Sequence, residues 1–204
     1  MSKIYNVDQE EVENAWKAVR KAGGGAGIDG KTIEDEEKNL DKELYKIWNR
    51  MSSGSYIPQP VLLVNIPKVK GGVRQLGIPT VLDRVAQGVV KNRLETVVQP
   101  LFHSNSYAYQ ANKSAIDAVG LCREQCMKMK WVVDIDIKRF FDNIDHDLMV
   151  KIVERYTDDK FVLLYVKKIF ESQGHKWTSG RNNTRKRHST RRRHKSCTCQ
   201  SLSP

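Results

Sequence analysis

The stretch WVVDIDIKRFFDNIDHDLM, residues 131–149, decides how this chain is read. Trp131 to Ile137 is mostly apolar and rich in branched side chains, a pattern that predicts a short strand. Successive side chains of a strand alternate between its faces, so Asp134 and Asp136 share one face. A carboxylate at the end of a buried strand is costly unless it is paired, hydrogen-bonded or bound to a cation. Two readings stand side by side. One is magnesium ligation, because phosphoryl transfer to a 3′-hydroxyl uses oxygen ligands that hold two such ions roughly 4 Å apart. The other is ion pairing with nearby Lys or Arg at a sheet end. A single strand cannot supply a whole metal cage, and the acids that follow, Asp142, Asp145, Asp147 and Glu154, read as turn, cap and helix-surface positions.

Upstream, Asp8 and Glu11 form a capping-box pattern, and Val12, Trp16 and Val19 recur at helical spacing, which predicts a helix over Asp8–Ala22 that ends at the glycines from Gly23 to Gly27. Thr32–Met51 reads as a second helix with Leu40, Leu44 and Ile47 on one stripe, stopped by Pro58 and Pro60. Val61–Ile66 and Val73–Ile78 flank Lys70-Gly71-Gly72 and read as a β-hairpin. Lys68, Lys70 and Arg74 cluster near its tip, where they suit either a triphosphate or an ordinary solvated edge that charges protect from aggregation. Helical patterns follow through Val85, Val89 and Leu94 to about Val98, and from Ser114 to about Lys130. After a turn over Asn143–His146, further helices are expected over Asp147–Tyr156 and Asp158–Phe170.

The 204 residues carry a formal charge of +11, which first suggests a polyanionic partner. Nine of the 35 basic residues lie between Glu171 and Pro204 beside one acid, leaving 26 basic and 23 acidic groups in the first 170 residues. The basicity therefore belongs mainly to the tail. That tail lacks apolar periodicity and is expected to be disordered, giving a division into residues 1–170 and 171–204. Cys122 with Cys126 and Cys197 with Cys199 lack the usual zinc spacing; the first pair reads as one side of a helix in a reducing compartment. No apolar run is long enough to span a bilayer, and the start is too charged for a signal peptide, so no membrane partner and a cytoplasmic location are expected.

Taken in order, four blocks resemble the reverse transcriptases encoded by group II introns. They are AGIDGKTIEDEEKNL (26–40), SGSYIPQPVLLVNIPKVKGGVRQLGIPTVLDRVAQ (53–87), LETVVQPLFHSNSYAYQANKSAIDAV (94–119) and VVDIDIKRFFDNIDHDLM (132–149). The resemblance implies an α+β fold, the fingers and part of the palm of a right-hand polymerase, with helices packed on a short antiparallel sheet. It implies RNA-directed DNA synthesis and maturase binding of group II intron RNA, with RNA template, DNA primer, dNTPs and Mg2+ as partners and cofactor. Residue by residue, Asp136 would be catalytic and ligate magnesium with the backbone carbonyl of Ile137. Phe141 would be a steric gate against the 2′-hydroxyl, and Lys68 and Arg74 would contact the triphosphate.

Two departures matter. Gln110 and Asn112 stand where the family commonly has a basic residue and a glycine. The block marked by Y-x-D-D, which supplies the family's other metal-binding aspartates, is expected to be absent, so little or no polymerase activity is expected of this chain alone. The tail offers a reason. Arg187–Pro204 reads RHSTRRRHKSCTCQSLSP, and synonymous codons for it, read one base later, give GTPQGGVISPVLANLFL, which resembles the family's next block. Residues from near Glu171 onward therefore read as a frameshift product. The competing expectation is a non-catalytic RNA-binding protein that grips intron RNA through the fingers and a genuine basic arm.

Overall fold

The first helix, α1 (Gln9–Ala22), starts as its capping pattern predicts: the Asp8 N–H donates to Glu11 Oε1 at 3.1 Å. Gly23 ends it at φ +69°, its N–H bonded to the Val19 carbonyl at 3.0 Å. The computed structural model describes residues 3–69, 71–110, 112–137 and 140–174, with the backbone alone at 141, 142, 173 and 174.

The single helix expected over Thr32–Met51 is two, α2 (Ile33–Glu37) and α3 (Leu40–Ser52). Thr32 Oγ1 caps α2 by accepting the Asp35 N–H at 3.2 Å. Asn39 sits at the break with φ −132° and ψ 33°, as suits a side chain that competes with helical backbone bonding. The hairpin forms where expected, with β1 (Leu62–Pro67) antiparallel to β2 (Val73–Ile78) in a register from Leu62↔Ile78 to Pro67↔Val73. Gly71 and Gly72, at φ +86° and +89°, turn the chain, and the Lys68 N–H closes the loop on the Gly72 carbonyl at 3.0 Å.

Helix α4 (Val81–Val98) begins at Thr80, whose Oγ1 accepts the Asp83 N–H at 3.1 Å, and runs into a 3-10 turn at Gln99–Leu101. Helix α5 (Ala115–Cys126) is shorter than the pattern to Lys130 suggested. A short α6 (Phe140–Asn143), α7 (His146–Tyr156) and α8 (Lys160–Gly174) follow. Helix α8 starts two residues later than expected and runs past Phe170; residues 175–204 lie outside the described residues.

The strand expected at Trp131–Ile137 is not formed. These seven residues have no regular secondary structure and every one is exposed. A strand satisfies its backbone groups only against a neighbour, and the hairpin is the whole of the sheet among the described residues. Nor is that hairpin a layer on which helices pack: Leu62, Leu63 and Ile78 at its root are half-buried, and the other strand residues are exposed.

The core joins α1, α3, α4 and α8. Val81, Val85 and Val89 recur every four residues on α4 and are fully buried with Val12, Met51, Phe161 and Tyr165. Tyr165 donates its hydroxyl to the Met51 carbonyl at 3.2 Å, which satisfies the one polar atom of a buried ring. Burial pushes this phenol up to about 12. Among the described residues no helix is long and apolar enough to cross a membrane.

Candidate functional site

Lys68 opens the hairpin turn, and Arg74 stands on β2 opposite Ile66. Both are exposed, and neither makes an ion pair among the described residues. Lys70 lies outside the described residues. The cations thus stand on a projecting two-stranded arm rather than in a pocket, which suits contact with an anion that approaches from solvent.

The arm's root is held by a buried acid that sequence reading did not single out. Asp83, 1% exposed, accepts the Tyr56 hydroxyl at 2.7 Å, the Thr80 hydroxyl at 2.7 Å and the Gln59 N–H at 3.2 Å. Burial pushes its carboxyl above the ordinary range, while the Tyr56, Thr80 and Gln59 hydrogen bonds pull it back. The Tyr56 phenol is pushed up as well, first by burial and then by the Asp83 charge beside it. From α8, Lys168 Nζ donates to the carbonyls of Gly54 at 2.6 Å and Tyr56 at 3.0 Å. Burial lowers this ammonium from its usual value. The signal for Asp83 was present as Thr80-x-x-Asp83, the spacing of a capping box.

Asp134 and Asp136 lie on the exposed segment 131–137, with the backbone of Ile137 beside them. The structure does not bring Asp136 into contact with Lys68 or Arg74. Phe141 belongs to α6, but its side chain lies outside the described residues. A carboxylate with an adjacent carbonyl is the right chemistry for a hard cation. Among the described residues, however, no three His, Cys, Asp or Glu side chains gather into a metal-binding group. The described residues therefore do not form a complete two-ion centre.

The sequence does contain the string Tyr156-Thr157-Asp158-Asp159, a Y-x-D-D pattern that corrects the expectation of its absence. Its geometry is that of a turn between helices. Tyr156 ends α7, and Asp159 Oδ1 accepts the Phe161 N–H at 2.8 Å in the first turn of α8. Asp159 Oδ2 lies 3.5 Å from Arg93 Nη1, and Asp158 is exposed. Asp159 is engaged in joining two helices, and among the described residues neither aspartate stands beside Asp136 in a metal-binding cluster.

Two smaller expectations concern α5 and the loop before it. Cys122 and Cys126 do share one side of the helix, as free thiols whose sulfurs lie 3.7 Å apart in a hydrogen bond. Asn112 adopts φ +60°, so it takes up the backbone region in which glycine is the easier residue.

Residues 66–195 match the family model described as reverse transcriptase (RNA-dependent DNA polymerase), and the chain belongs to that family. Its relatives bear out the resemblance to group II intron proteins. It is 30% identical over 84% of its length to the "Putative COX1/OXI3 intron 1 protein" of Saccharomyces cerevisiae, covering 20% of that protein. It is 29% identical over 76% of its length to the "Group II intron-encoded protein LtrA" of Lactococcus lactis, covering 27%. It is also 34% identical over 70% of its length to "Protein YkfC" of Escherichia coli, covering 39%. The chain thus spans between a fifth and two fifths of these curated relatives.

Proposed function

We propose that this chain is the fingers and first part of the palm of a group II intron reverse transcriptase, and that it polymerises little or no DNA by itself. The observation that carries the second half is the state of the acidic segment: Asp134 and Asp136 are exposed, and no third ligand joins them among the described residues. In the assembled enzyme Asp136 and the Ile137 carbonyl would contribute to holding magnesium, which would supply charge neutralisation at the reacting phosphate. Lys68 and Arg74 would meet the nucleotide triphosphate, and Phe141 would exclude a 2′-hydroxyl. Intron RNA, an RNA template, a DNA primer and dNTPs are the partners that this reading assigns, in keeping with the group II intron relatives.

The test is primer extension by the full chain with RNA template, dNTPs and magnesium. The expected result is no product above background. Clear extension that Asp136→Ala abolishes would overturn the claim of inactivity, and would show that the acidic segment finds its missing ligands within this chain.

A further inference from the structure

The β1–β2 arm enters from one leg of chain and leaves by another, and a single buried side chain bonds to both. Tyr56 and Gln59 precede β1, and Thr80 follows β2. All three donate to the Asp83 carboxylate, Tyr56 to Oδ1 at 2.7 Å, Thr80 to Oδ2 at 2.7 Å and the Gln59 N–H to Oδ2 at 3.2 Å. We propose that Asp83 is a positioning residue that staples the two legs of the hairpin to the start of α4 and so sets where Lys68 and Arg74 stand. This rests on the reading of the hairpin as a nucleotide-contacting arm.

The leverage is what makes the staple consequential. Six strand residues at about 3.4 Å each make an arm of roughly 20 Å, so a tilt of about 10° at the root carries the tip roughly 3.5 Å. A hydrogen bond to a phosphate oxygen tolerates only about half an ångström of such error. Beyond the half-buried Leu62, Leu63 and Ile78 the strands are exposed, so the restraint on that tilt lies at the root. The opposite side of the incoming leg is held by Lys168, which bonds to the Gly54 and Tyr56 carbonyls. The Tyr165 ring stands 6.4 Å from that of Tyr56. Among the described residues Asp83 is the one side-chain acceptor shared by both legs, and at 1% exposure it is shielded from bulk water.

The experiment is pulsed electron spin resonance on the full chain. The native cysteines are replaced by serine, and spin labels are placed at Val69→Cys on the arm and Glu13→Cys on α1. In Asp83→Asn the distance distribution is expected to broaden by an amount on the order of the roughly 3.5 Å tip displacement. In Tyr56→Phe, which removes one bond from one leg, it is expected to broaden less. Far-UV circular dichroism and a cooperative melt establish that each variant is folded. A folded Asp83→Asn with the parent width overturns the proposal. If Asp83→Asn does not fold, Tyr56→Phe decides, and an unchanged width there overturns it equally. Calorimetric binding of inorganic triphosphate to the unlabelled chain and to Lys68→Ala separates the two claims. Absence of binding in the parent sinks the nucleotide reading, while the positioning role still stands or falls on the widths.

Discussion

Gly27 lies so close to Thr80 that a Cβ on the glycine would meet the Thr80 Cα at 2.5 Å and its nitrogen at 2.6 Å. The loop before α2 is thereby laid against the backbone that opens α4. Arg84 clamps the same approach, donating from Nη1 to the Gly23 carbonyl at 2.9 Å and from Nη2 to the Gly25 carbonyl at 2.8 Å. The obstruction is main chain and cannot rotate away. Gly27→Ala is therefore expected to destabilise the chain by about 1–3 kcal/mol, the usual range for overpacking, as read by urea denaturation. An unchanged midpoint would show that the loop yields at no cost.

Arg93 ties α4 to the start of α1. Its Nε and Nη2 bond to the two Glu11 oxygens at 2.7 and 2.6 Å, and its guanidinium lies 4.6 Å from the Phe161 ring centre. The Arg93 hydrogen bond holds the Glu11 carboxyl below its ordinary value of 4.5, against the opposing effect of burial. A depressed carboxylate contributes stability that is present above the unfolded value and lost as pH falls through the folded one. Arg93→Met should lower stability at neutral pH by about 1–2 kcal/mol, since the pair is only partly buried. It should also flatten the loss of stability below about pH 4.5. Melting across pH 2.5 to 7 would check both; an acid limb as steep as the parent's would remove Glu11 as its source.

The Tyr156–Asp159 string separates a structural role from a metal-binding one. Asp159 caps α8 and approaches Arg93, so Asp159→Ala should cost about 1 kcal/mol. Asp158 is exposed, and Asp158→Ala should stay within about 0.5 kcal/mol of the parent. Neither change should alter magnesium binding measured by calorimetry. A loss of magnesium affinity in both variants would restore the string as a metal site.

Among the described residues the buried core runs from Val7 to Val166, and residues 175–204 lie outside those described. Deleting them is expected to leave the melting temperature unchanged. Removal of their basic side chains should weaken non-specific RNA binding and reduce its salt dependence. If the tail carries no selected function, the preference for structured intron RNA over random RNA that the proposed function assigns should survive the deletion. A genuine basic arm would lose that preference. The encoding DNA gives an independent check: one base later, the codons for Arg187 onward should read GTPQGGVISPVLANLFL, and a DNA sequence that does not allow this would exclude the frameshift.

Much of the fold was legible because its signals are local. Asp8 with Glu11, Ser114 with Asp117, and the glycine pair between β1 and β2 each act within a few residues, and each element forms where those signals lie. Asn39 carried a local signal as well, a turn-favouring side chain at the head of the stripe formed by Leu40, Leu44 and Ile47. The acidic segment went the other way. Alternation over Trp131–Ile137 is a true strand pattern, yet a strand is a relation between two stretches of chain, and among the described residues no second stretch pairs with this one.

The family, most of the helices and the hairpin were determined by the sequence itself, since composition and short-range spacing encode them. What only the tertiary structure decided is which groups act together. Tyr56 and Asp83 are 27 residues apart, Arg93 and Glu11 are 82 apart, and Lys168 reaches Tyr56 across 112. No local pattern records such distances, because the partners are chosen by packing α1, α3, α4 and α8 into one core. The same packing turns a Y-x-D-D string into a helix joint, and a capping acid into the bond shared by both legs of the arm.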